Sequence, residues 1–272
     1  METLQTHRLE QDGVPRVNVL GVGISALNMP QALELLEGWI ERGEKHYVCV
    51  TPAHTVIDAY HHSELRRILN ASGMTTPDGM PMVWLAHLHS ERQVERVYGP
   101  DLMRAACARS VESGWKHFLY GGEPGVVEQL RAELERDYPG IQMAGSYSPP
   151  FRPLTPQEDD AVVSQINASG AQIVWVGLSS PKQEHWMAEH LGRLNAPVMV
   201  GVGAAFDFLS GRKPQAPRWM QRSGLEWLFR LASEPRRLWP RYRQYPLFVW
   251  LVLLQLLGLK KFPLDEQGQE QD

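Results

Sequence analysis

Residues 171–202 read AQIVWVGLSSPKQEHWMAEHLGRLNAPVMVGV. The apolar runs at 171–177 and 197–202 have the length and the β-branched content of buried strands. The segment between them opens at Ser180-Pro181 and is predicted to be a helix that ends before Asn195. Two continuous apolar strands joined by a helix are typical of a parallel sheet that is covered on both faces. This stretch therefore indicates an α/β fold.

The same alternation of strand and helix extends through the preceding sequence. Further strands are predicted at 17–25, 46–51, 74–76, 116–120 and 141–146. We expect a Rossmann-like parallel sheet with helices on both faces, followed by a helical C-terminal appendage. The expected segments are a flexible N-terminus at 1–16, an α/β domain at 17–210, a basic and apolar appendage at 211–262, and a disordered acidic tail at 263–272.

The composition is typical of a globular protein and argues against some functional classes. The chain has 272 residues, of which 43% are hydrophobic, and this is enough to bury a sizeable core. A net charge of −4 argues against general nucleic-acid binding. Cys49 and Cys107 lie in apolar segments and are interpreted as buried thiols in a reducing compartment. The first residues lack a signal-peptide pattern, and we therefore expect a cytoplasmic protein.

Basic charge is concentrated near the C-terminus. Residues 212–261 hold 11 Lys or Arg against 2 Asp or Glu, and the run from Gln244 to Gly258 carries no charge. Such a segment favours contact with an anionic membrane or lipid head group. The alternative is a buried terminal helix with a solvated arginine face. The apolar run, at about 15 residues, is shorter than a bilayer span requires, so we expect the protein to lie on a membrane and not to cross it.

Gly21-Val22-Gly23-Ile24-Ser25-Ala26 fits the dinucleotide fingerprint GxGxxA. The acidic residue that should hold a ribose is missing, because the next strand ends at Thr51. A plain turn is the favoured interpretation, and an NAD-dependent oxidoreductase is an alternative.

Ligands of open parallel sheets bind at the carboxyl ends of the strands. Asp78 follows a predicted strand and precedes Gly79, where it either serves as a general base or caps the next helix, and the cap is favoured from spacing. Pro181 to Glu184 open a helix whose free N–H groups suit a diphosphate, with Lys182 as a further donor and with Gln183 and Glu184 placed to hold a base or ribose. The alternative is an ordinary capped helix with a polar first turn.

No metal ion and no cofactor are expected. The histidines do not show metal-ligand spacing, and the chain has no Asp-x-Asp triplet to hold a divalent ion on a nucleotide diphosphate. Arginines, lysines and backbone N–H groups would neutralise any bound diphosphate.

Seven blocks then occur in order: TTPDG (75–79), RVYGPDL (96–102), YGG (120–122), VGLSSPKQE (176–184), GVGAAFDF (201–208), GLEW (224–227) and EPRRL (234–238). Together they resemble the WecG/TagA/CpsF glycosyltransferases, glycosyltransferase family 26, over roughly residues 17–245.

The resemblance implies an inverting, metal-independent transfer of a hexose, N-acetylmannosamine or a related sugar, from a UDP-sugar to a polyprenyl-diphosphate-linked saccharide in cell-surface or exopolysaccharide biosynthesis. It implies a peripheral position on the cytoplasmic face of the cell membrane, and a homo-oligomer. A non-catalytic module that binds nucleotide sugar at the membrane is a further alternative.

The resemblance also assigns residues to roles. The catalytic group is Asp78, as general base, with Thr51 and Arg96. The UDP-sugar-binding residues are Gly122, Gln183, Glu184 and Asp207. The diphosphate- and lipid-binding residues are Arg230, Arg237 and Arg241. The chain departs from the family pattern at Ala53, Ser179 and Gln215, which bear on donor or acceptor identity.

Overall fold

The structure is a computed structural model, and it describes residues 10–11 and 13–264. The predicted flexible N-terminus and acidic tail lie mostly outside the described residues. The contacts divide the chain into two compact units. The first unit comprises Met1–Asn28, Thr51–Val97 and Ala216–Asp272, and the second comprises Met29–Val50 and Tyr98–Gln215. The domain boundaries expected from the sequence remain predictions.

Strands and helices alternate along most of the chain. The strands are β1 Glu10–Gln11, β2 Val14–Val19, β3 Val22–Ser25, β4 His46–Thr51, β5 Met74–Pro77, β6 Lys116–Gly121, β7 Gln142–Tyr147, β8 Ile173–Gly177 and β9 Val198–Gly201. The helices are α1 Met29–Arg42, α2 Ala53–His61, α3 Ser63–Ala71, α4 Met80–Leu88, α5 Gly99–Ser113, α6 Val126–Asp137, α7 Pro156–Ser169, α8 Lys182–His190, α9 Ala205–Leu209, α10 Arg218–Arg222, α11 Glu226–Ser233, α12 Pro235–Tyr242 and α13 Tyr245–Leu256.

The second unit is built on parallel strands that lie side by side in the order β4-β9-β8-β6-β7. Trp175 of β8 pairs with Val200 on one side and with Leu119 on the other. All three side chains are fully buried, as expected for strands with helices on both faces. The predicted α/β fold with a parallel sheet is therefore confirmed.

The first unit contains an antiparallel hairpin where one parallel strand was predicted. β2 and β3 pair through Val19 and Val22, and the two residues between them have positive φ, 54° at Leu20 and 86° at Gly21. Positive φ at both central positions is the requirement of a type I′ hairpin loop, and Gly21 adopts it without steric cost. The prediction of a single strand at 17–25 is wrong because this turn lies within the apolar run. The GxGxxA match is a hairpin turn, as the favoured interpretation held.

The apolar helix α13 is held against this hairpin by Gln255, the one amide side chain within the helix. Gln255 Oε1 accepts a hydrogen bond from the Leu20 N–H at 2.9 Å, and Gln255 Nε2 donates to the Asn18 carbonyl at 2.9 Å. The two bonds satisfy backbone groups at the hairpin turn, where the ladder ends. Gln255 therefore fixes the position of α13 within the first unit.

The two faces of α13 differ in exposure. One face buries Phe248, Leu251 and Val252 and contacts α2. Elsewhere on the helix Val249 and Trp250 are exposed by more than half. The helix thus packs within its own unit on one face and presents apolar surface elsewhere. Contact of this surface with a membrane stays a prediction. Within residues 10–11 and 13–264, the helices are too short or too polar to cross a membrane.

We predict that Gln255→Leu lowers the free energy of unfolding by about 1–3 kcal/mol, because the Leu20 N–H and the Asn18 carbonyl lose their partners. Urea denaturation measures the loss, and amide hydrogen exchange at Leu20 should become faster. Leu253→Gln, a polar change on the exposed part of α13, is the matched control and should have little effect. Equal stability of Gln255→Leu and wild type would show that the two bonds do not hold the helix.

Candidate active site

Asp78 lies directly after β5, two residues before α4 begins. Its N–H donates to the Thr76 carbonyl at 2.9 Å. The residue at the cap of α4 is Gly79, with φ of 97°, and no side chain caps this helix. The interpretation of Asp78 as a helix cap is therefore wrong. Its carboxylate instead accepts hydrogen bonds from Arg96, at 3.3 Å from Nε and 3.1 Å from Nη2.

Arg96 is shared between two carboxylates. Its Nη2 also donates to Glu226 Oε2 at 2.5 Å, and Glu226 is the first residue of α11. Each of the three side chains is only 14% exposed. A mostly buried guanidinium with two carboxylate partners is well paired.

Backbone contacts hold the segment that carries Arg96 beside β5. The Val97 N–H donates to the Pro77 carbonyl at 3.1 Å, and the Thr76 hydroxyl donates to the Val97 carbonyl at 3.1 Å. Thr76 is fully buried. Arg96 and Asp78 are 18 residues apart in the sequence. The two bonds hold the backbone next to each of them in place, and this positions the side chains for the ion pair.

The pKa of Asp78 is raised by its surroundings to about 6. Burial is the largest cause, because it disfavours the charged form. The positive charge of Arg96 opposes this effect, the Glu226 carboxylate adds to it, and Arg230 again lowers the pKa. A carboxylate with a pKa near 6 is ionised at neutral pH and still basic enough to accept a proton from a reacting hydroxyl.

A buried histidine lies among the arginines of the same unit. His54, in the first turn of α2, is 8% exposed, and its Nδ1 has no hydrogen-bond partner in the described part of the chain. Its ring contacts that of Tyr242 edge-on, with centroids 6.4 Å apart. Burial holds the pKa of His54 well below its ordinary value, and the charges of Arg241 and Arg230 lower it further. His54 is therefore neutral at physiological pH.

The remaining residues assigned to the first unit differ in their surroundings. Thr51, the last residue of β4, is fully buried. Arg230 and Arg241 are half-buried and act electrostatically on His54. Arg237 is exposed and forms an ion pair with Glu234 at 2.6 Å. The structure thus brings Arg230 and Arg241 to one buried histidine and leaves Arg237 at the surface.

In the second unit, glycines meet at the carboxyl ends of β6 and β8. The Gly122 N–H donates to the Gly177 carbonyl at 3.1 Å. A Cβ on Gly121 would lie 2.6 Å from the Gly177 carbonyl carbon, and one on Gly122 would lie 3.2 Å from the Phe206 ring. Side chains are thereby excluded from this edge of the sheet, as in sites where backbone approaches a nucleotide closely.

Gln183 and Glu184 are both buried at the start of α8. Gln183 Nε2 donates to Glu184 Oε1 at 3.1 Å, which fixes the amide. A Cβ on Gly201, at the end of β9, would lie 3.0 Å from that nitrogen, so glycine makes room for the amide. Gln183 Oε1 is buried and has no hydrogen-bond partner among the described residues. A fixed, unused acceptor beside the end of a parallel strand is a candidate contact for a ligand.

The first turn of α8 has fewer unbonded backbone N–H groups than the sequence predicts. The Gln183 N–H donates to the Ser179 carbonyl at 3.1 Å, and the His185 N–H donates to the Pro181 carbonyl at 3.3 Å. These groups are not available to a diphosphate. Asp207, in α9, forms an ion pair with Lys213 at 2.8 Å. No group of three His, Cys, Asp or Glu side chains that could hold a metal ion occurs in the described segments.

One comparison with known proteins identifies the family. The sequence model of the Glycosyl transferase WecG/TagA/CpsF family matches residues 17–262. The chain belongs to this family. The match spans both units, and it confirms the resemblance seen in the seven sequence blocks. It supports a glycosyltransferase role for the chain.

Sequence reasoning did not assign roles to two residues of this glycosyltransferase family member. Glu226 lies in the GLEW block and is one of two acidic residues within the strongly basic stretch 212–261. This isolated acidic residue could have been recognised from the sequence as a candidate site residue. His54 follows Thr51 by three residues, and no pattern distinguishes it from the other histidines. Its significance depends on burial and on the approach of Arg230 and Arg241.

We predict that Asp78→Asn stabilises the protein at pH 8 and not at pH 4. Folding raises the pKa of Asp78 from 3.8 to about 6, so its contribution to stability is present below pH 3.8 and is lost as the pH rises through 6. Asparagine does not ionise, and Arg96 keeps Glu226 as its partner. The expected gain at pH 8 is about 1–3 kcal/mol.

Chemical denaturation at the two pH values measures this gain. Asp160→Asn, at a surface aspartate whose side chain is 77% exposed, is the matched control. A loss of stability at pH 8 on replacing Asp78 would show that the Arg96 ion pair outweighs burial.

Proposed function

We propose that this protein is an inverting, metal-independent glycosyltransferase that moves a hexose from a UDP-sugar to a polyprenyl-diphosphate-linked saccharide. The hexose is N-acetylmannosamine or a related sugar, and the product enters cell-surface or exopolysaccharide biosynthesis. Membership of the family supports the transferase class. The single observation that carries the proposed mechanism is the mostly buried Asp78 carboxylate, which is paired with Arg96 and has its pKa raised to about 6.

Asp78 acts as the general base. The acceptor hydroxyl loses its proton to the Asp78 carboxylate while its oxygen forms a bond to the anomeric carbon of the donor sugar. The bond from that carbon to the diphosphate oxygen breaks on the opposite face, and UDP leaves with the electron pair. One displacement inverts the anomeric centre. The basicity of Asp78 at neutral pH supports this assignment, because proton transfer is most effective when the pKa lies near the working pH.

Residues of the second unit bind UDP in this proposal. The unused Gln183 Oε1 suits an N–H group of the uracil ring, and the adjacent Glu184 fixes the amide that presents it. Gly122 belongs to a strand end that a Cβ would block, which supports close approach of the nucleotide to the backbone. Asp207 would accept hydrogen bonds from sugar hydroxyl groups.

Arginines of the appendage bind the diphosphate. Arg230 and Arg241 carry positive charge next to neutral His54, whose Nδ1 is a further polar contact for a phosphate oxygen or a hydroxyl. Arg237 is exposed and would meet the lipid head group. Guanidinium groups bind phosphate oxygens through two parallel N–H bonds, which orients the ligand as well as neutralising it.

The appendage also supplies a surface for peripheral contact with the cytoplasmic membrane face. Large apolar side chains are exposed on α10 to α13, among them Trp219, Leu228, Trp239, Val249, Trp250 and Leu253. The stretch 212–261 that carries them is strongly basic. Aromatic and aliphatic side chains beside basic residues suit the boundary of an anionic bilayer. A homo-oligomer remains a prediction of the family resemblance.

A transfer assay tests the proposed reaction. Purified protein is incubated with a panel of radiolabelled UDP-sugars and a short-chain lipid-diphosphate saccharide, and lipid-linked product is measured. We expect transfer from one UDP-hexose, and a loss of at least about 100-fold in kcat for Asp78→Asn, with UDP binding unchanged by calorimetry.

Three results would contradict the proposal. Unchanged turnover of Asp78→Asn would remove Asp78 as the base. Binding of UDP-sugar with no transfer to any acceptor would favour a non-catalytic module. Binding of NAD in place of UDP would favour an oxidoreductase.

We predict that Trp250→Ser weakens binding to vesicles that contain anionic phospholipid, because it removes an indole from the bilayer boundary. Co-sedimentation should show the bound fraction reduced severalfold at equal protein concentration. Phe151→Ser, at a 96% exposed aromatic residue of the second unit, is the matched control and should leave binding unchanged. Equal losses for both variants would mean that α13 has no specific contact with the membrane.

A further inference from the structure

Glu226 takes no part in the proposed displacement, although it accepts a hydrogen bond from Arg96, the residue that pairs with Asp78. We propose that Glu226 is a positioning residue that shares Arg96 with Asp78 and thereby keeps Asp78 basic enough to deprotonate the acceptor. This inference rests on the proposed function, because it concerns the general base of that reaction. It assigns a part in the chemistry to α11, in addition to the ligand binding proposed for Arg230.

The geometry of Arg96 carries the argument. Nε and Nη2 both reach Asp78 Oδ1, at 3.3 Å and 3.1 Å, while Nη2 lies closer to Glu226 Oε2, at 2.5 Å. Of the two carboxylates, Glu226 therefore has the shorter contact with the shared nitrogen. A guanidinium that served Asp78 alone would stabilise its charged form strongly and would leave a weak base.

The other charged and titratable groups near Asp78 do not replace this effect. Arg230, on the same helix as Glu226, lowers the pKa of Asp78. Tyr242 of α12 and Tyr245 of α13 interact with Asp78, and burial raises the pKa of both phenols, so they stay neutral in the physiological range. Among the charged groups of the described residues, Glu226 is thus the one that raises the pKa of Asp78 against Arg96 and Arg230, in addition to the larger effect of burial.

The contact between Glu226 and Arg96 also couples the basicity of Asp78 to the position of α11. Glu226 reaches Arg96 across 130 residues of sequence, from the start of α11. The basicity of Asp78 consequently depends on the correct docking of this helix within the first unit. If α11 were not docked, Arg96 would pair with Asp78 alone, and the pKa of Asp78 would fall.

The test is Glu226→Gln, which keeps the size of the side chain and removes its charge. The pKa of Asp78 is measured directly by carbon-13 NMR titration of the carboxyl groups, with Asp78→Asn used to assign the signal. We expect the pKa of Asp78 to fall by about one unit. The acid limb of the kcat/KM profile should move to lower pH by the same amount.

Matched variants separate this role from a structural one. Glu135→Gln removes a carboxylate from a surface ion pair with Arg131 and should leave the pKa of Asp78 unchanged. Glu226→Asp keeps the charge and should hold the pKa nearer to the wild-type value than Glu226→Gln does. If Glu226→Gln does not fold, a comparison of Glu226→Asp with wild type still reports the effect of lengthening the contact to Arg96.

An unchanged pKa of Asp78 in folded Glu226→Gln would overturn the proposal, and so would a loss of activity without movement of the acid limb. The NMR titration needs no substrate. A lowered pKa in a protein that transfers no sugar would therefore support the contact with Glu226 and contradict the proposed function alone.

Discussion

The guanidinium of Arg96 lies between the carboxylates of Asp78 and Glu226, with each side chain only 14% exposed. Taking three charged groups out of water is costly, and the cost is offset only when their hydrogen bonds are made together. The end of β5, the segment before Val97 and the start of α11 must therefore keep fixed relative positions within the first unit. A change in any of them would leave a buried charge without its partner.

The same cluster connects stability with chemistry. Burial and Glu226 favour the protonated form of Asp78, whereas Arg96 and Arg230 favour the charged form. The balance leaves the carboxylate with a pKa near 6, which destabilises the ionised protein and suits a base that works at neutral pH. A site of this kind is expected to lower the stability of the fold in exchange for reactivity.

The second unit depends on a different constraint, the close approach of backbone at strand ends. Gly121 passes so near to Gly177 that a Cβ would overlap its carbonyl group, and Gly201 leaves room for the Gln183 amide. These contacts were visible in the sequence only as small residues after apolar runs. The orientation of Gln183 and its unused oxygen depend on the packing of α8 against β9, which residue order does not specify.

The sequence by itself determined the α/β class, most strand and helix positions and the family, because apolar periodicity, turn residues and the seven blocks are local properties. The prediction of a single strand at 17–25 was wrong, because a two-residue turn leaves the apolar run unbroken. The prediction that Asp78 caps a helix was also wrong, because helix caps are judged from neighbouring residues alone. Only the tertiary structure decided that Asp78 pairs with Arg96, that Glu226 shares this partner and that Gln255 holds the hairpin. Each of these contacts joins residues far apart in the chain, and buried charges and amides find their partners only when the backbone has folded.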